Sequence, residues 1–378
     1  MTNYITPMRA LLLSLLLVPA LSLGGCAQAD PPAETVQSEK AAFNVSVVAE
    51  GLSHPWSLAF LPDGDMLVSE RDGRLQRIRK NGDKTDITGI PAVSAEGQGG
   101  LLGLAVSPDF NSTRRIYLAY AGADEDDKRN TEVAYGTLNN NRLDNVRVIF
   151  RAEPKTDGGN HYGGRLLFGP DGMLYVTLGE RFDYRDQAQN TDNHIGTLVR
   201  LHPDGRVPAD NPYPKGIYTY GHRNVQGIAI HPQTQDIWTH EHGPRGGDEI
   251  NIIKAGSNYG WPLVSGGNHY WGTRIAKESD NPDLVAPLHN WTPSIAPSGM
   301  AFYTGDQFPA WKNNLFVGAL AGQHLRRLEI GADNRVTHEE ELLKNMARIR
   351  DVRMGPDGAL YLLTDEDNGR VLKLTPAE

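Results

Sequence analysis

The sequence predicts an all-β chain arranged as a six-bladed β-propeller, and two features carry that expectation. One phrase, an apolar strand, a Pro-Asp-like turn and a second apolar strand, recurs six times. The composition suits many short strands joined by turns: 378 residues include 41 Gly, 24 Pro and 14 Tyr, with few long helical periods. The alternative is a string of β-sandwich domains. Recurrence of one turn in one context favours radial repetition.

Taken from the N-terminus, residues 1–25 read as a lipoprotein signal peptide. Arg9 is their only charge, and the apolar run ALLLSLLLVPALSL ends in LGGC. An ordinary signal peptide or a membrane anchor is the alternative, but the run is short for a spanning helix. Cys26, the only cysteine, is then the acylated residue, and no disulfide can form within the chain. Ala27 in place of Asp points to the outer membrane. Residues 26–43 read as a disordered tether, since AQADPPAETVQSEKA has no core-forming pattern. Residues 44–378 form the propeller. Its six copies are WSLAFLPDGDMLVSE, LLGLAVSPDFNSTRRIYLAY, GRLLFGPDGMLYVTLGE, VQGIAIHPQTQDIWTHE, SGMAFYTGDQFPAWKNNLFVGAL and RDVRMGPDGALYLLTDE. Pro62, Pro108, Pro170, Pro232 and Pro356 mark five turns and Gly305-Asp306 the other, at spacings of about 45 to 75 residues. Outer strands such as LQRIRK and VLKLTP complete the blades.

Charge excludes one class of partner. Without Arg9 the mature chain carries 36 basic and 46 acidic residues, a net −10, which argues against a nucleic-acid binder, whose footprint would be a basic patch. A small anion in a local pocket remains compatible with this balance.

The unusual residues converge when measured back from each turn. His161 precedes Pro170 by nine residues and Gln98 precedes Pro108 by ten. Arg223 and Asn224 precede Pro232 by nine and eight, and Arg348 and Arg350 precede Pro356 by eight and six. At about 3.3 Å per strand residue these offsets differ by roughly 13 Å at most, so all enter the central channel at one mouth. Arg348 and Arg350 share a strand face, with Ile349 on the other. Arginines around a channel need anions. Asp351, Asp365 or Glu180 could supply them internally; taken with His161 and Gln98, the set favours a bound polyanion. The glycines Gly163 and Gly164 would let such a ligand approach the backbone.

A second cluster, HEHGPRGGDEINIIKAGSNYGWP (240–262), pairs the rigid Gly243-Pro244 bend with Asp248, Glu249 and, ten residues on, Tyr259. Carbonyls and carboxylates suit calcium better than zinc or copper. His240 and His242 raise a transition metal instead, and an acidic turn without metal is the plainer alternative.

The motifs EGQGGLLGLAVSPDF, NHYGGRLLFGPDGMLYVTLGE, YGHRNVQGIAIHP, EHGPRGGDEINIIKAGSNYGWP and RIRDVRMGPDG resemble those of the soluble PQQ-dependent glucose/sorbosone dehydrogenase family, most nearly its periplasmic aldose sugar dehydrogenase branch. The likeness covers about residues 44–376. It implies a six-bladed propeller with pyrroloquinoline quinone (PQQ) at the channel mouth and a C1 oxidation of aldoses to lactones. His161 matches the catalytic base, and Gln98, Arg223, Asn224, Arg348 and Arg350 match quinone-contacting positions. Arg223 is also expected to stabilise charge on the reduced cofactor, and Glu180 to orient the imidazole. Gly243 and Pro244 match carbonyl ligands of an active-site calcium; Glu249 and Tyr259 match a second, structural calcium. With no haem motif possible on one cysteine, electrons must pass to an external acceptor, a quinone or cytochrome. The membrane is met only through the lipid anchor, on the periplasmic side.

Two positions depart from the family's best-known glucose oxidisers. Asn160 replaces an acidic residue before the histidine, and GALAGQHLRR lacks a fifth-blade lysine, with Ala321 or Gln323 nearby. Both bear on sugar preference and cofactor affinity. Between Val264 and Ser298, Tyr270, Trp271 and Trp291 offer faces for sugar stacking or for plain packing. The rival readings are a calcium-dependent lactonase or esterase propeller and a non-catalytic propeller that binds sugar or a partner.

Overall fold

The computed structural model describes residues 34–277 and 280–377. The signal peptide, Cys26 and the first part of the tether lie outside them. The described chain forms six antiparallel sheets, one per blade. The innermost strands are Pro55–Phe60, Leu101–Val106, Leu166–Phe168, Val225–Ile230, Pro297–Phe302 and Ile349–Met354. Each leads into one of the six turns marked in the sequence and returns as the second strand of its blade.

Three of the turns are chemically the same. In Leu61–Gly64, Gly169–Gly172 and Gly355–Gly358 the fourth residue's N–H donates to the first residue's carbonyl, at 2.8, 3.0 and 3.0 Å. Proline presets φ at the second position, and glycine accepts the left-handed φ of 87°, 73° and 82° at the fourth. The Asp between them accepts from the N–H two residues on, at 3.0–3.2 Å. Such a turn sets hairpin register without help from distant residues.

Alternation along each strand fills the gaps between blades. In the second strand of blade two, Ile116, Leu118 and Tyr120 pack towards Leu67 and Leu75 of blade one. Tyr117 and Ala119, one residue out of phase, pack towards Leu174 and Val176 of blade three. Similar buried clusters fill the other seams.

The sixth blade takes strands from both chain ends. Ala42–Leu52 pairs antiparallel with Gly369–Pro376, Val45 opposite Leu374 and Val47 opposite Leu372. Here the structure corrects the expected tether. It does not run to residue 43, because Glu34–Gln37 is already a strand, paired with the start of Ala42–Leu52. Val36 and Ala41 rest on the core, and Glu39 reaches the buried Arg327 at 3.6 Å. No helix among the described residues is long and apolar enough to cross a membrane.

Further along the channel, Arg165 ties four blades together. It is fully buried, donates to Asp351 Oδ1 at 2.9 Å, to the carbonyls of Arg350 and Gln226 at 2.9 and 2.8 Å, and lies 4.1 Å from the Trp56 ring. Burial pushes its pKa down, to about 9.

Candidate active site

At the mouth where the inner strands begin is a cavity of about 380 Å³, within the range of small-ligand sites. Its wall is built in three registers. The residue just before the inner strand contributes His54, Asn224, Ala296 and Arg348; the second residue of the inner strand contributes Trp56, Leu102, Gln226 and Arg350. Positions two apart share a face, so one strand delivers both. The first residue beyond the second strand contributes Arg71, His242, Leu320 and Asp365, and Gln98, Tyr162 and Gly163 complete the lining. Reading back from the turns reaches only the first two sets. The third explains why Arg71 is absent from the sequence-based list: its signal is its place one residue past a second strand, in register with His242 and Asp365.

Gln98, Asn224, Arg348 and Arg350 are brought together as expected, while Ile349 turns into the core. The internal partners are also present. Asp365 Oδ2 accepts from Arg350 Nη2 at 2.6 Å and Arg348 Nη2 at 3.3 Å, and Oδ1 meets His54 Nδ1 at 2.9 Å. Burial alone would raise the Asp365 pKa, but Arg350, with His54 and Arg348, holds it well below the usual range. Asp351 is spent on Arg165 and Arg353. The cavity therefore holds three guanidiniums, of Arg71, Arg348 and Arg350, against one carboxylate. Arg71 Nε, Arg350 Nε and Tyr162 Oη are buried without hydrogen-bond partners among the described residues. Surplus positive charge and orphaned donors fit the tricarboxylate quinone that the resemblance implies.

His161 is buried and lines neither this cavity nor a second one, but its neighbours in sequence line the first and its contacts Glu180 and Phe182 line the second. Tyr162 and Gly163 line the inner cavity; Glu180, Phe182 and Arg223 line the outer, of about 310 Å³. The His161 backbone adopts φ 53°, a left-handed conformation that its surroundings must hold. Its N–H donates to Gln98 Oε1 at 2.9 Å. Arg181 fastens the preceding loop, its Nη2 donating to the Gly158 carbonyl at 2.7 Å and its Nη1 to that of Asn160. Gly179 permits the neighbouring strand to pass, since a Cβ there would lie 2.2 Å from the His161 carbonyl oxygen. Gly163 and Gly164 serve a similar end. Cβ atoms on them would meet the Thr177 carbonyl at 2.5 Å and the Leu102 side chain at 2.8 Å. The protein's own packing thus also requires their smallness, while Gly163 lines the inner cavity.

The imidazole is 3.1 Å from Glu180 through Nδ1. A carboxylate only accepts, so Nδ1 carries the proton and Nε2 the lone pair. Burial lowers the His161 pKa, with Glu180 opposing, so the ring is neutral near pH 7. Glu180 itself is buried and accepts from the Phe182 N–H. Arg223 Nε lies 4.0 Å from Glu180 Oε1; its Nη1 donates to the His242 carbonyl at 3.0 Å and its Nη2 to Tyr270 Oη at 2.9 Å. Arg223 thus belongs to the outer cavity and not to the cluster of Arg348 and Arg350. Tyr270 and Trp271 are 56% and 64% exposed there, with His269 stacked on Trp271 at 4.2 Å. Trp291 is elsewhere, buried and donating to Glu339 at 2.9 Å.

Blade four repeats the motif. His222 Nδ1 meets Glu241 Oε1 at 2.9 Å, with the same 19-residue separation as His161 and Glu180. Its Nε2, however, is bound to Thr219 Oγ1 at 2.8 Å and the ring is fully buried. One copy of the pair is sealed and the other is open at Nε2.

Pro244 lines the outer cavity, and Gly243, Glu249 and Tyr259 surround a void of about 10 Å³ together with Glu241. That is room for one water-sized sphere. Asp248 is not a free ligand: it accepts from Gly243 N, Ser294 Oγ, Ile295 N and Ala296 N at 2.7–2.9 Å and fixes the Gly243-Pro244 bend instead. Tyr259 Oη donates to the Ile252 carbonyl at 2.8 Å. Among the described residues no group of three or more His, Cys, Asp and Glu is set to hold a metal. A calcium here would draw mainly on carbonyl oxygens, which suit it. Asn160 is exposed beside the mouth, and the fifth blade presents Leu320 rather than Ala321 or Gln323 to the cavity.

Comparison with known proteins gives the family and supports the fold. A family model described as glucose/sorbosone dehydrogenase matches residues 52–373. The aldose sugar dehydrogenase YliI of Escherichia coli is 43% identical over 96% of this chain and 98% of its own. A glucose dehydrogenase crystal structure superposes with TM-score 0.85 at 49% identity, covering 89% of this chain and all of that one. The PQQ-bound aldose sugar dehydrogenase of Streptomyces coelicolor gives 0.75 at 32%, over 91% and 99%.

Proposed function

The chain belongs to the glucose/sorbosone dehydrogenase family, and from that premise we propose that it oxidises aldose sugars at C1 to lactones with PQQ and calcium. One observation carries the reading: a neutral imidazole, its Nδ1 held by Glu180, is flanked by Tyr162 and Gly163 of a cavity with surplus guanidinium charge and touches Glu180 and Phe182 of a second, aromatic-walled cavity.

The inner cavity is assigned to the cofactor. Gln98, Asn224, Arg348 and Arg350 would hold its carboxylates and ring oxygens, and Gly243 and Pro244 would offer carbonyls to the active-site calcium. Glu249 and Tyr259 are assigned to a second, structural calcium. When bound, the quinone supplies hydride acceptance, with calcium polarising its carbonyl. His161 Nε2 takes the proton of the anomeric hydroxyl, as general base. Glu180 keeps the tautomer that leaves Nε2 free and stabilises the imidazolium that results. Arg223 places positive charge beside the same centre. Tyr270 and Trp271 offer ring faces to the sugar. The buried position of His161 limits water at the proton-transfer step. An external acceptor then removes the electrons.

Surplus guanidinium charge is also what separates this reading from a lactonase propeller, which needs calcium but no polyanion. The leader up to Gly25, acylation of Cys26 and a periplasmic, outer-membrane attachment belong to the same proposal.

The test is reconstitution. Apo-protein with calcium and PQQ is given aldoses and an electron-accepting dye. Dye reduction that disappears in His161→Ala supports the reading. Quinone-independent ester or lactone hydrolysis, or silence in both assays, rejects it. A panel of mono- and disaccharides then ranks the substrates.

A further inference from the structure

We propose that Arg71 anchors the cofactor: its guanidinium takes one carboxylate of the quinone assigned to the inner cavity, an inference that rests on the function proposed above. Arg71 lies one residue beyond the second strand of blade one, outside every motif that pointed to the site, yet it lines the cavity with Arg348, Arg350 and Asp365.

The charge distribution singles it out. Asp365 is divided between Arg350, Arg348 and His54. Arg71 ion-pairs with no carboxylate among the described residues; its Nη1 donates only to the Gly97 carbonyl, at 3.1 Å, and its Nε is buried without a partner. Arg71 shares its cavity wall with Arg348 and Arg350, and burial, with the charges of Arg348 and Arg71 and against Asp365, lowers the Arg350 pKa. A guanidinium with one donor satisfied and another orphaned, facing a cavity that already repels cations, is stabilised by an anion.

Its backbone is fixed for the role. The Arg71 carbonyl accepts from Leu101 N at 3.2 Å, and its N–H donates to the His54 carbonyl at 3.3 Å. A Cβ on Gly100, φ 125°, would stand 1.9 Å from that Arg71 carbonyl oxygen. The side chain therefore starts from a fixed point at the rim.

The experiment measures binding, not turnover. Calcium-loaded protein is titrated with PQQ and with each of its three monomethyl esters, following quenching of tryptophan emission; Trp56 lines the cavity. Arg71→Gln is expected to weaken PQQ binding by about tenfold or more, and to reduce the salt dependence of binding. Methylating the carboxylate that Arg71 holds costs the native protein a similar factor and the variant almost nothing. Arg71→Lys, which keeps charge but loses the planar fork, falls between the two. Equal discrimination between acid and each ester by native protein and Arg71→Gln overturns the inference while leaving the proposed function standing. Failure of the native protein to bind PQQ overturns both.

Discussion

Replacing Glu180 by Gln tests the arrangement around His161 without changing its shape. Glu180 serves two donors: Oε1 receives Nδ1–H of His161 and Oε2 receives the N–H of Phe182. An amide has one acceptor oxygen. If that oxygen faces Phe182, the NH₂ group faces the imidazole and selects the tautomer with Nε2 protonated, which cannot act as a base. If it faces His161, the NH₂ group opposes a buried backbone N–H. A buried donor left unpaired costs about 1–3 kcal/mol, or roughly 5- to 150-fold at about 1.4 kcal/mol per decade. We expect kcat to fall about 10- to 100-fold, with little change in the sugar KM, because Glu180 acts through His161. The acid limb has a determined sign. Burial sets the His161 pKa below its ordinary value, and Glu180 is the largest influence raising it. Glu180→Gln removes that influence, so the surviving activity extends to lower pH. The assay is dye-coupled initial rates on PQQ-reconstituted enzyme across pH 4.5–8. A kcat within twofold of native, or an acid limb that moves upward, refutes the assigned role.

Three further outcomes follow from neighbouring contacts. Arg181→Lys loses the fork that fastens the Gly158 and Asn160 carbonyls, and should cost about 2 kcal/mol in stability and slow turnover, seen by thermal unfolding and kcat. Gly179→Ala puts a methyl group 2.2 Å from the His161 carbonyl oxygen; a destabilisation of about 3 kcal/mol is expected, and an unchanged melting temperature contradicts the packing described. His222→Gln breaks the sealed pair with Glu241 and should lower the melting temperature while leaving the midpoint of the acid limb in place, measured in the same dye assay. A shifted midpoint would mean that the two histidines are not divided as proposed.

The ring itself is legible because its evidence is local: each Pro-Asp-Gly turn is specified by three adjacent residues, and the recurrence counts the blades. The site is legible where it follows the inner strands, as with Gln98, Asn224, Arg348 and Arg350. It is illegible where the wall comes from the return strand. Arg71 in LVSERDG resembles any surface arginine until the second strand is paired and its end is known. The chemistry of His161 is hidden for another reason. NHYGG and YGHRN carry repeat-equivalent histidines with equally spaced glutamates, and only the third dimension shows that Thr219 closes one of them. Arg223 has the right type and offset but turns to the outer cavity, because the Tyr270 hydroxyl and the His242 carbonyl draw it there. The tether ends early because a lone Val36 suffices to add a strand once the neighbouring edge exists.

The mixed parentage of the sixth blade has a consequence for biogenesis. Strand Ala42–Leu52 pairs on one edge with the adjacent Glu34–Gln37, but its other edge finds its partner only in Gly369–Pro376, more than 300 residues later. Five blades can therefore form while the circle stays open, exposing an unpaired strand edge until Gly369–Pro376 docks. Deleting strand Gly369–Pro376 should yield a sticky, aggregating product instead of a slightly weaker enzyme, whereas joining Pro376 to Glu34 through a linker and cutting at an exposed turn should preserve the ring.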